Sequence, residues 1–245
     1  MGLATGEFNL DGSLDLFRTH FADDTPGLYR NDGKANFRDM TLASQLAVET
    51  RYVGWGAGMQ DFDNDGYPDL FVVTGSVYPE VEKTIPTFPW KTPRLLFRNL
   101  GGSKFEELID ESARHASRGV AFGDFDNDGD VDVLIMNINE PPSLLRNDVT
   151  GDNHWIKVKL RGVKSNRSAI GASITAKYGG KRQVQEVLAQ SSYLSVNDPR
   201  LHFGLGANKS LDLEIRWPAG GIEKFPNLSI DRIITIEEDK GVHPH

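Results

Sequence analysis

Apolar and polar positions alternate with a period of two through much of the chain, the pattern of strands buried on one face. Ile156, Val158 and Leu160 alternate with Lys157 and Lys159, and Leu211, Leu213, Ile215 and Trp217 alternate with Asp212, Glu214 and Arg216. Residues 174–178 turn at Gly179-Gly180 into a partner over 182–187, and Ile230 to Glu237 reads as a last strand. Two continuous apolar runs, Leu70-Phe71-Val72-Val73 and Val133-Leu134-Ile135-Met136, predict strands buried on both faces. No stretch carries a helical period, so the pattern predicts an all-β chain.

The first 150 residues repeat. Leu28-Tyr29-Arg30-Asn31 returns as Leu96-Phe97-Arg98-Asn99 and as Leu144-Leu145-Arg146-Asn147. Phe37 and Phe105 stand six residues beyond the first two asparagines. Hairpin signals, Asn-Asp-Gly and Asn-Leu-Gly-Gly, follow those asparagines. Each unit reads as four short strands, such as Gly119-Val120-Ala121-Phe122 leading in and Phe105-Glu106-Glu107-Leu108 closing, which is the arithmetic of a propeller blade. About two and a half four-stranded blades fit in residues 1–150, a partial β-propeller. Residues 151–240 read as a separate β-sandwich or barrel-like domain, and residues 241–245 as a tail.

The polar punctuation between strands carries the chemistry. Asp61-Phe62-Asp63-Asn64-Asp65-Gly66-Tyr67-Pro68-Asp69 and Asp124-Phe125-Asp126-Asn127-Asp128-Gly129-Asp130-Val131-Asp132 each set carboxylates at positions 1, 3, 5 and 9 around a glycine at 6. A curled loop of that kind turns alternate oxygens inward, and Tyr67 and Asp130 at position 7 offer a backbone carbonyl. Ca²⁺ takes about six to eight oxygens, so each loop is a candidate calcium site. Glu7-Phe8-Asn9-Leu10-Asp11-Gly12-Ser13-Leu14-Asp15 is a third copy with Glu and Asn in place of two aspartates, which predicts weaker binding. The alternative is a set of solvated acidic turns, but carboxylates this close repel one another without a cation. These are not EF-hands, because position 12 is Val72 or Ile135 rather than Glu, and strands rather than helices follow.

Charge follows from the loops. Eight aspartates at positions 1, 3, 5 and 9 of the two full copies, with Glu7, Asp11 and Asp15, outweigh the net charge of −8, so the remainder is slightly basic. That distribution argues against nucleic acid as a partner. The chain has no cysteine, which excludes disulfides, thiol catalysis and cysteine-based zinc sites. No apolar run approaches a membrane span, and no secretory leader is visible.

Other features are ambiguous on sequence. The insertion Tyr78 to Pro93, with four prolines and Trp90, is either a contact loop or a cover for a sheet edge. His154 and His202 sit beside Trp155 and Phe203 and read as structural histidines, and His243 and His245 fall in the tail. No HExxH, GxSxG or P-loop motif occurs.

Arg118-Gly119-Val120-Ala121-Phe122-Gly123-Asp124-Phe125-Asp126-Asn127-Asp128-Gly129 resembles the FG-GAP/VCBS repeat of integrin-type propellers. Residues 153–238 resemble the ASPIC/UnbV domain through Asn153-His154-Trp155, Ser165-Asn166-Arg167, Ile170-Gly171-Ala172, Leu201-His202-Phe203-Gly204-Leu205-Gly206 and Trp217-Pro218-Ala219-Gly220. Blades followed by this domain are the layout of the cartilage-acidic-protein-like family, whose C-terminal part the chain resembles. The resemblance implies an extracellular or periplasmic, calcium-associated protein with further blades upstream. Two function classes stay open. One is a non-catalytic recognition or adhesion module for a protein or carbohydrate ligand. The other is an enzyme with a pocket between the blades and the C-terminal domain, calcium being structural. An incomplete ring of blades exposes strand edges and apolar faces, so self-association or missing N-terminal blades is expected.

Overall fold

A computed structural model describes residues 2–48 and 50–244. The chain is all-β, and its strands form five sheets in a propeller-type arrangement. The first sheet is a meander of β1 (Leu3–Gly6), β2 (Asp15–Arg18), β3 (Gly27–Asn31) and β4 (Phe37–Asp39). The second repeats that order with β5 (Gly54–Gln60), β6 (Asp69–Thr74), β7 (Thr92–Asn99) and β8 (Phe105–His115). The third holds three strands, β9 (Ser117–Gly123), β10 (Asp132–Asn137) and β11 (Ser143–Leu145). Each acidic loop joins the first two strands of its sheet, where the repeat places it.

The leading strands β1, β5 and β9 lie side by side. Glycine permits the approach: a Cβ on Gly58 would sit 2.2 Å from the Phe122 ring. Phe8, Phe17, Leu28, Leu70, Leu95 and Phe97 bury together between the first two sheets, and Phe71, Val73, Val120, Phe122 and Ile135 between the second and third.

The remaining strands are β12 (His154–Arg161), β13 (Ser173–Tyr178), β14 (Lys181–Glu186), β15 (Leu201–Gly206), β16 (Leu211–Arg216), β17 (Ile222–Leu228), β18 (Arg232–Glu237) and β19 (Gly241–Pro244). They form two four-stranded sheets, ordered β15-β12-β18-β19 and β14-β13-β16-β17. Ile156, Val158, Phe203 and Ile234 of one and Ile174, Leu213 and Ile215 of the other share one apolar cluster, with the fully buried Trp217. β12 and β18 pair in parallel, from Ile156↔Arg232 to Arg161↔Glu237.

Three expectations need correction. Residues 241–244 are not a loose tail: they form β19, which pairs with β18 through Thr235↔His243, while His245 lies outside the described residues. A short helix, α1 (Val81–Thr84), occurs inside the 78–93 insertion. The insertion folds back on the scaffold, where the Arg118 guanidinium lies 4.1 Å from the Trp55 ring centre and 5.3 Å from that of Trp90. The leading strands are also not left bare. The segment leading into β15 lies along them: Ala57 N–H donates to Ser192 Oγ (2.6 Å), Val120 N–H to Ser195 Oγ (3.0 Å) and Asp198 N–H to the Phe122 carbonyl (2.9 Å). Leu134, Met136 and Leu144 on the third sheet remain exposed.

Candidate metal centre

The acidic loops share one backbone plan. Position 6 is glycine with φ near +90° in all three: Gly12 (+92°), Gly66 (+94°) and Gly129 (+103°). That left-handed turn favours glycine. The position 6 amide donates to the position 1 carboxylate, Gly66 to Asp61 Oδ2 (2.8 Å) and Gly129 to Asp124 Oδ2 (3.1 Å). The position 7 amide donates to the position 5 carboxylate, Tyr67 to Asp65 (2.7 Å) and Asp130 to Asp128 (3.0 Å).

These turns draw Asp61, Asp63 and Asp65 together in the second loop, and Asp124, Asp126 and Asp128 in the third, each with ligand oxygens within 4.8 Å of one another. Asp61 is 4 % exposed and Asp124 1 % exposed, and in each one oxygen, Oδ1, is buried without a hydrogen-bond partner. A buried carboxylate oxygen left unpaired is costly. An oxygen-seeking cation inside the loop removes that cost, so the donor set fits Ca²⁺.

Asp69 and Asp132 at position 9 also tie their loops to neighbouring backbone. Asp69 accepts from Phe62 N–H (3.3 Å) and Asn99 N–H (2.7 Å), and Asp132 from Phe125 N–H (2.9 Å) and Asn147 N–H (2.8 Å). They brace the base of each loop against the L-x-R-N strand. The position 7 side chains point elsewhere. Tyr67 lies under Lys181 Nζ, 4.1 Å from its ring centre, and Asp130 Oδ1 accepts from Asn64 Nδ2 (2.9 Å).

In the first loop both Glu7 oxygens are engaged, by the amides of Gly12 and Val184. Asn9 donates to Asp11 Oδ2 (2.9 Å), Ser13 N–H to Asp11 Oδ1 (3.0 Å), and Asp15 accepts from Phe8 and Asn31. Asn9 Oδ1 is buried and unpartnered.

The repeat motif L-x-R-N hides two working residues. Its asparagine ties neighbouring loops: Asn99 Nδ2 donates to the carbonyls of Pro68 (2.9 Å) and Phe8 (2.8 Å), and Asn147 Nδ2 to that of Phe62 (2.8 Å). Its arginine meets the outer oxygen of position 3, Arg98 at Asp63 Oδ2 (2.8 Å) and Arg146 at Asp126 Oδ2 (3.1 Å). The recurrence of the motif signalled both residues, but not what they touch.

The C-terminal sheets reach the loops as well. His202 Nε2 meets Asn64 Oδ1 (2.7 Å), and Arg200 Nη1 donates to Asn127 Oδ1 (2.6 Å), so the position 4 asparagine of both full loops is held from β15 and its approach. Gly206 N–H donates to the Asn64 carbonyl (2.8 Å), and Asn153 Nδ2 to that of Asp63 (2.9 Å). His202 is therefore structural; burial depresses its pKa to about 3. His154 pairs with Asp231 (2.8 Å).

Electrostatics mark the loops as short of positive charge. Burial, then the neighbouring Asp65 and Asp69, push Asp61 well above the usual carboxylate range. Burial raises Glu7, Asp15 and Asp69 to about 7, against backbone amides that pull them down, and Asp130 to about 6. A carboxylate whose folded pKa is raised stabilises the fold below its unfolded pKa and loses that contribution as pH rises through the folded value. His202 opposes this trend between about 3 and 6.5, but five carboxylates outweigh one imidazole. Chelator-treated protein should therefore lose melting temperature as pH rises from 5 to 8, and saturating Ca²⁺ should flatten the profile. A chelated profile that rises over this range would contradict the charge deficit.

Comparison with known proteins agrees with this layout. Residues 8–72 match the FG-GAP-like repeat family, and residues 162–243 match the ASPIC and UnbV family. The chain is 27% identical over 234 residues to Cartilage acidic protein 1 of Mus musculus, covering 89% of this chain and 34% of that protein. It is 27% identical to the Homo sapiens protein of that name, covering 89% and 33%, and 28% identical to the Xenopus tropicalis one, covering 90% and 34%. The chain thus spans about a third of the length of these relatives. The FG-GAP-like repeat match precedes the ASPIC and UnbV match, in the order the sequence suggested. Among the described residues no helix is long and apolar enough to cross a membrane.

Proposed function

We propose that this chain is a calcium-binding, non-catalytic recognition or adhesion module of an extracellular or periplasmic protein. The first three sheets act as propeller blades stapled by Ca²⁺ in the inter-strand loops, and the last two sheets act as a sandwich seated against them. The observation that carries the reading is the pair of buried, unpartnered oxygens, Asp61 Oδ1 and Asp124 Oδ1, at the same position of two matching loops. The second and third loops bind one ion each, and the first binds more weakly because its position 1 oxygens are already held by amides.

The cavity between the blades and the C-terminal sheets, about 310 Å³, favours recognition over catalysis. Four of its charged groups pair off, Lys157 with Asp124 and Arg200 with Asp198, and the Glu7 carboxylate is held by the Gly12 and Val184 amides. Its Gln185 amide donates to the His202 carbonyl, and Asn197 Oδ1 accepts from Phe122 N–H (3.2 Å). The rigid scaffold leaves exposed side chains such as Tyr78 and Leu144 for a protein or carbohydrate partner, or for another copy of the chain.

Calorimetric titration of chelator-treated protein with Ca²⁺ tests the reading. Asp63→Ala and Asp126→Ala should each remove one bound ion, while Asn9→Ala, which alters a neutral ligand in the first loop, should change the titration less. Absence of Ca²⁺ binding to the unaltered protein would overturn it, and equal losses in all three variants would overturn the ranking of the loops.

A further inference from the structure

We propose that Lys157 is a resident counter-charge of the third acidic loop: it holds the C-terminal sheets on that loop without a metal and weakens the loop's grip on a divalent cation. This rests on the reading of the loops as calcium sites.

Lys157 stands on β12 and is 1 % exposed. Its Nζ lies 2.6 Å from Asp124 Oδ2, and both side chains are almost fully buried. Asp124 Oδ1 has no partner. One carboxylate therefore divides its oxygens between an ammonium on one side and the interior of the loop on the other. A divalent cation at Oδ1 would share that carboxylate with Lys157, and two positive charges a few ångströms apart repel strongly where water is excluded. The nearby Arg200 does not serve as the counter-charge. Its guanidinium meets Asp198 Oδ2 at 2.6 Å and donates to the Asp124 backbone carbonyl at 2.8 Å.

Among the described residues, no such ammonium sits on a carboxylate of the second loop. Asp61 Oδ2 takes the Gly66 amide and faces the backbone of Gly204. Lys181, the lysine that β14 brings to this loop, reaches the Asp65 carbonyl at 3.4 Å rather than an acid group. The C-terminal sheets thus dock on the third loop through a buried ion pair, and on the second through hydrogen bonds to Asn64 and to backbone carbonyls. Third-loop docking persists when calcium is removed, and calcium sensitivity concentrates in the second loop. The third loop also carries an additional carboxylate, Asp130, so the test compares variants within that loop.

The experiment is Ca²⁺ titration and thermal melting of the full chain in an Asp63→Ala background, which leaves the third loop as the strong site. Lys157→Met should raise its Ca²⁺ affinity on the order of tenfold. The same variant should melt lower than its parent in chelator, and saturating Ca²⁺ should restore most of the loss because the ion replaces the missing charge. Lys157→Arg, which keeps the charge, should titrate like the parent. Unchanged or weaker affinity in Lys157→Met overturns the proposal. So does an equal loss of stability with and without Ca²⁺, failure of Lys157→Met to fold in both conditions, or identical behaviour of the Met and Arg variants. If the parent itself binds no Ca²⁺, the calcium reading fails, and this inference with it.

Discussion

Millimolar Ca²⁺ added to chelator-treated protein is expected to raise its melting temperature by several degrees for each loop that fills. A ligand that binds only the folded state contributes RT ln(1 + [L]/Kd), about 2.7 kcal/mol at a hundredfold excess over Kd. For a chain of this size, roughly 2–4 °C accompanies each kcal/mol. The stabilisation should be large because the loops are poorly satisfied without the ion. Asp61 is buried with one bare oxygen and lies near Asp65 and Asp69, whose charges push its pKa in the same direction as burial does. The loops also sit at a structural junction. Asn99 donates to carbonyls of two consecutive loops, and Asn64 joins the second loop to the third and to His202. Ordering one loop therefore stiffens its neighbours. Mg²⁺ should substitute poorly, since it demands near-octahedral geometry and gives up water reluctantly. An unchanged melting curve across a calcium series, read by circular dichroism or calorimetry, would remove the stapling role.

The loops were legible in the sequence because their chemistry is local. Nine consecutive residues hold the donors, the turn and the brace, so spacing alone identified Asp61, Asp63 and Asp65 and their counterparts Asp124, Asp126 and Asp128. Strands with one solvent face were legible for the same reason. β15 was harder, because five of its six residues are buried and its pattern does not alternate. Lys157 shows where the period fails. Alternation places it correctly on the face opposite Ile156 and Val158, but that face is covered by the third loop rather than by water. A strand's period reports which residues share a face and not what lies against it. The parallel pairing of β12 with β18 and the docking of residues 191–198 on β5 and β9 are likewise contacts between distant segments.

The contact between Gly204 and the second loop gives the other large expected effect. Gly204 lies in β15, between two buried neighbours, and packs directly on the acidic loop. A Cβ there would stand 1.9 Å from Asp61 Oδ2 and 2.7 Å from the Asn64 Cα. The first neighbour is a carboxylate held by the Gly66 amide and the second is backbone, so neither yields cheaply. Gly204→Ala should therefore destabilise the protein by about 1–3 kcal/mol or more, the usual cost of overpacking. It should also lower Ca²⁺ affinity at the second loop, because the methyl displaces the position 1 ligand or drives β15 away. Loss of the β15 contact would release the His202–Asn64 hydrogen bond, so amide exchange should speed up in Leu201–Gly206 and in residues 61–69 together. Gly151→Ala is the control, since nothing lies within 4 Å of the added Cβ; it should melt and titrate like the unaltered protein. A Gly204→Ala variant with unaltered melting and an unaltered second-loop titration would show that β15 does not seat on the loop.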